Sequence, residues 1–100
     1  MTLIVAGTVR VPPEAIDRFR PHMIEMMTAS QAEDGCLAYA YAETVGSPGL
    51  VQVFEVWRDQ AALDAHFKTD HMARWRARWP EFGVSDRRLV NYEVAAERAM

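Results

Sequence analysis

Imidazole, carboxylate and aromatic side chains cluster in the second half of this sequence, and they are its chemically capable groups. His66 and His71 could each move a proton at neutral pH, because imidazole titrates near 6.5. The same ring is the commonest metal ligand, but five residues on one continuous helix set two side chains about 140° apart, and Thr69 is placed to start a new helix between them. No third ligand stands at matching spacing: His22 belongs to another segment, and Asp64 and Asp70 read as solvated. The sequence therefore predicts no metal site. It offers His71 or His66 as a general base, with half-buried packing as the plain alternative. Glu55, set among valines, is either a base whose pKa burial raises or an anchor for Arg10, Arg87 or Arg88. Trp57 shares a strand face with Glu55 and could form a stacking wall for a flat ligand or belong to the core. Val53, Phe67, Tyr41 and Trp75 are the remaining candidates to line such a pocket, each also explicable by packing. Cys36, beside alanines, reads as a buried, inert thiol.

These groups need elements to carry them. Residues 3–11 are rich in β-branched side chains and stop at Pro12-Pro13, which predicts a first strand. Ile16, Phe19, Met23, Met26, Met27 and Ser30 follow helical spacing, so residues 13–33 read as a helix, kinked or broken at Pro21 and stopped by Gly35. Residues 36–43 and 50–57 flank the turn Gly46-Ser47-Pro48-Gly49 and form a hairpin. Asp59 and Thr69 are each placed to cap a short helix, Pro80 and Gly83 end the second, and residues 84–94 form the last strand before a polar, frayed tail. The order β-α-β-β-α-β is the ferredoxin-like, split βαβ arrangement of an α+β domain with a four-stranded antiparallel sheet. Right-handed crossovers put all helices on one face. Strands one and three are apolar on both sides, so the uncovered face predicts a homodimer packed sheet against sheet.

One hundred residues form one domain, covering the whole chain. A net charge of −3 gives no basis for gripping nucleic acid. No apolar run is long enough to span a membrane, and one cysteine with no leader-like amino terminus predicts a cytoplasmic protein. Phosphate loops, dinucleotide fingerprints and paired-cysteine zinc motifs are missing.

The stretch VFEVWRDQAALDAHFKTDHM, residues 53–72, resembles the signature of the antibiotic biosynthesis monooxygenase superfamily, and Glu33-Asp34-Gly35-Cys36 is similar to that family's entry to the second strand. The resemblance implies a dimeric α+β barrel and oxygenation without metal, flavin or haem. A phenol, quinol or anthrone loses a proton, and its anion passes an electron to oxygen. It also implies that Trp57 lines the pocket and that His66 and His71 match histidines of the quinol monooxygenase branch. Val53 stands where polyketide-oxidising relatives have an asparagine, which disfavours that substrate class. Gly7 or Thr8 and Arg76 replace the porphyrin-holding residues of haem-degrading relatives. The expectation is a cofactor-independent monooxygenase of a small electron-rich aromatic. The alternatives are a proton-shuttling isomerase or degradative enzyme on a small carbonyl compound, and a dimeric module that binds a small hydrophobe without turnover.

Overall fold

The computed structural model of the chain describes all 100 residues. Strand β1 is Leu3–Arg10, helix α1 is Ile16–Gln31, and the hairpin strands are β2, Cys36–Glu43, and β3, Leu50–Trp57. Helices α2, Gln60–His66, and α3, Asp70–Phe82, lead to β4, Ser85–Glu93. The sheet order is β2-β3-β1-β4, antiparallel throughout. This is the expected ferredoxin-like α+β architecture. No helix is long and apolar enough to cross a membrane.

Alternation along the strands decides what each face meets. Leu3, Val5 and Val9 of β1 and Val51, Val53, Glu55 and Trp57 of β3 are buried beneath the helices. Phe19, Met23 and Met26 of α1 and Met72, Trp75 and Phe82 of α3 complete that core. On the opposite face Ile4, Ala6, Leu50 and Val56 lie around Phe54, with Val90 and Tyr92 beyond them. Phe54 is 45% exposed, Val90 49% and Tyr92 52%, so this is an apolar surface in contact with solvent.

Both capping residues act as expected. Asp59 accepts from the Ala62 amide at 2.9 Å. Thr69 Oγ1 accepts from the Met72 amide at 3.2 Å and donates to the His66 carbonyl at 2.8 Å, so one hydroxyl ends α2 and starts α3.

The prolines behave differently from expectation. The segment opens with a 3-10 turn at Pro13–Ala15, and α1 then runs through Pro21 without a break. Pro21 and Asp17 both lie on the exposed side, so the carbonyl that loses its partner faces water while the buried side keeps its packing. Pro80 is likewise inside α3, whose end is set by Gly83 in the left-handed conformation. Gly35 does not stop α1, which ends at Gln31; it turns the chain into β2.

Gly7 lies on β1 with a φ of 157°, hard against the backbone of β4. A Cβ built there would lie 1.9 Å from the Arg88 carbonyl oxygen of β4. Gly7→Ala is therefore expected to lower the unfolding free energy by about 3 kcal/mol in urea titration, because β1 and β4 must separate to admit the methyl group.

Candidate active site

Between the helices and the sheet lies a cavity of about 370 Å³. No helix packs closely on β4, so the cavity opens along that edge, where Leu89 and Asn91 form its rim. Its walls are mainly apolar, with Glu55, His66, Tyr39, Tyr41, Gln60, Arg87 and Asn91 as the polar exceptions.

The geometry converges on Glu33, in the turn that follows α1. Its Oε2 lies 2.6 Å from His66 Nδ1 and 2.8 Å from His71 Nε2. The expected new helix at Thr69 is present, but it brings the histidines together instead of separating them: His66 ends α2, His71 belongs to α3, and Phe67 to Thr69 turn the chain between them. Glu33 is the third group that the sequence did not reveal, and all three donor atoms lie within 4.8 Å of one another. The two short contacts are hydrogen-bond lengths; donors on a tetrahedral ion with arms near 2.0 Å stand about 3.3 Å apart. A divalent ion would have to spread this cluster.

A carboxylate only accepts, so Glu33 holds the His66 hydrogen on Nδ1 and leaves the lone pair on Nε2. That Nε2 is buried and has no hydrogen-bond partner. Burial pushes the His66 pKa below 6.5, while the neighbouring Glu33 pulls it back up. His66 walls the cavity; His71 does not, and reaches it only through Glu33.

Glu55 forms part of the cavity wall, and its Oε1 accepts the Trp57 Nε1 hydrogen at 2.9 Å. It anchors no arginine: Arg10 and Arg88 both pair with Asp86, and Arg87 makes no ion pair. Burial raises its pKa above 4.5. Trp57 is completely buried and sits behind Glu55 with its ring 4.6 Å from that of His66, so it supports the wall from behind and offers no stacking surface. Val53, Phe67, Tyr41 and Trp75 all reach the cavity. Tyr41 stacks on Trp75 at 5.3 Å, and its hydroxyl meets that of Tyr39 at 2.7 Å. Burial drives both phenol pKa values up and keeps them protonated. Cys36 is pushed up to about 11 by burial, which leaves it a thiol.

Residues 2–78 match the family described as antibiotic biosynthesis monooxygenase, and the chain belongs to it. Two proteins named as candidate monooxygenases are similar to it. YcnE of Bacillus subtilis is 28% identical over 93% of this chain and 98% of its own length. Rv0793 of Mycobacterium tuberculosis is 37% identical over 65% of this chain and 63% of its own. The solved structure of Rv0793 superimposes with a TM-score of 0.83 at 26% identity, covering 99% of this chain and 100% of that one. A candidate antibiotic biosynthesis monooxygenase from Deinococcus radiodurans gives 0.89 at 22% identity over 100% of this chain and 98% of its own, a likeness of fold.

Glu55 makes the cavity's pH response measurable. Its folded pKa is raised, so the stability it contributes is complete below 4.5 and declines as pH rises through the folded value. Glu55→Gln keeps an acceptor for Trp57 without the charge. The variant is expected to gain stability over the wild type as pH rises above 4.5 and through the raised Glu55 value, with the difference closing below 4.5, in urea titrations at a series of pH values.

Proposed function

We propose that this chain is a monooxygenase that oxidises a small electron-rich phenol or quinol with molecular oxygen and needs no added cofactor. One observation carries the reading: His66 walls an apolar cavity with its tautomer fixed by a carboxylate and its buried Nε2 without a hydrogen-bond partner. His66 Nε2 takes the phenolic proton, and Glu33 stabilises the imidazolium that results. One of the Tyr39 and Tyr41 hydroxyls donates to the other, which leaves the pair one O–H to offer the oxyanion, and Trp75 with Tyr41 supplies a flat surface for the ring. The anion gives one electron to oxygen and the two radicals join through a new carbon–oxygen bond. Loss of water then leaves one oxygen atom in the product, so hydroquinone and oxygen yield hydroxyquinone and water.

In the same reading His71 positions Glu33, and Glu55, neutral when protonated, keeps a second charge away from the base. Oxygen uptake with hydroquinones is expected to fall about 100-fold or more in His66→Ala and about as far in Glu33→Gln, with a smaller loss in His71→Ala. The wild-type rate should hold near pH 7 and fall on acidification below 6.5, because protonated His66 cannot accept. Unchanged rates in His66→Ala would remove it as the base, and turnover that persists without oxygen would point instead to proton shuttling on a carbonyl compound.

The reading also includes a pair of copies joined through their open sheet faces. An apolar surface centred on Phe54, with Ile4, Val56 and Tyr92 around it, suits a self-complementary two-fold contact. Light scattering is expected to give twice the chain mass of 11.4 kDa. Phe54→Asp should give the single-chain mass with an unchanged circular dichroism spectrum.

A further inference from the structure

At the end of the cavity where β4 begins, two hydrogen-bond donors face no acceptor. Arg87 lines the cavity with its guanidinium 4.4 Å from the centre of the Trp79 ring. Among the other arginines, Arg10 and Arg88 share Asp86, Arg20 holds Asp17 and Glu43, Arg58 holds Asp34 and Asp59, and Arg74 holds Glu25, while Arg18, Arg76 and Arg78 hold no carboxylate and lie off the cavity. Arg87, exposed at the mouth of the cavity, has neither ion pair nor hydrogen bond, and its charge is felt at Tyr41 and Glu55 inside. Beside it Trp79, also a cavity residue, buries an indole N–H that has no acceptor. A buried donor without a partner is costly unless a ligand completes it.

The other end of the cavity has the opposite character. His66 Nε2 is an acceptor without a donor. Glu55 stands level with Val5 on β1, whereas Leu89 stands level with Gly7 and Arg87 lies two residues further along, beside Val9. Four strand positions are about 13 Å along the sheet and β3 stands about 10 Å from β4 across β1, so the two backbones are about 16 Å apart, and side chains reaching inward from both ends shorten that toward the span of a substituted ring. The ligand that completes both ends has a hydroxyl to give at one and an anionic acceptor at the other.

Resting on the oxygenase reading for the role of His66, we propose that the site selects an aromatic acid. Its carboxylate binds Arg87 and the Trp79 N–H, and its phenol, across the ring, meets His66. A guanidinium pre-oriented on an indole face presents its donors in the fork that matches a carboxylate.

Anaerobic calorimetric titration separates this from turnover, with 3,4-dihydroxybenzoate and its methyl ester as probes. The wild type is expected to bind the acid about tenfold or more tightly than the ester. Arg87→Gln should reduce that preference to about twofold or less, and Arg87→Lys, which keeps the charge but not the fork, should retain part of it. Equal binding of acid and ester by the wild type, an undiminished preference in Arg87→Gln, or no binding of either probe would each overturn the proposal. Oxygen uptake is read separately: selective, Arg87-dependent binding with no oxygen consumed would sustain the carboxylate site and reject the oxygenase reading.

Discussion

The site depends on one oxygen atom that serves two rings. Glu33 Oε2 accepts from imidazoles on two different helices, and Glu33 itself belongs to the turn after a third. Nothing local brings these residues together. The three-residue break between α2 and α3 lets His71 swing back toward His66, and the Thr69 hydroxyl fixes the break by bonding to both sides of it. On an unbroken helix the two rings would diverge and Glu33 could hold only one.

Burial then sets the charge pattern of the cavity. Desolvation disfavours the ionised form of every group it reaches, so it lowers the pKa of His66 and raises those of Glu55, Tyr39 and Tyr41. All four are driven toward neutrality. A neutral imidazole can accept and a neutral phenol can donate, so the same desolvation leaves both an acceptor and a donor on the cavity wall. Formal charge is left at the two ends, on Glu33 behind His66 and on Arg87 over Trp79.

The strands, the hairpin and both helix caps are legible in the sequence because each rests on short-range chemistry. β-branched runs, a Gly-Ser-Pro-Gly turn, and an aspartate and a threonine ahead of helical spacing are enough. The prolines mislead because their cost depends on which side of the helix loses the bond, and Pro21 faces water. Glu33 is illegible for a different reason: its partners lie 33 and 38 residues away, and the hydrogen bonds exist only once three segments are packed. Glu55 and Trp57 are correctly placed on one strand face, yet which of them meets the cavity turns on a bond between the two. The indole donates to the carboxylate, sits behind it, and leaves Glu55 in front.

A single layer of helices is too narrow for a four-stranded sheet, and two different surfaces follow from that shortage. On the helix side the inward residues of β3 and β1 are buried while those of β4 are largely exposed, so the cavity opens along β4 with Asn91 and Arg87 at its rim. On the far side the whole sheet is uncovered and carries Ile4, Phe54, Val56 and Tyr92. The chemistry of the two openings differs in the way their uses would require. Polar groups at the rim keep water there until a small molecule displaces it, whereas an apolar face gains most by excluding water against a surface of its own kind. A fifth strand or a second helical layer would close one surface or the other. The 100-residue chain has neither, so its fold leaves one entrance for a ligand and one face suited to another protein surface.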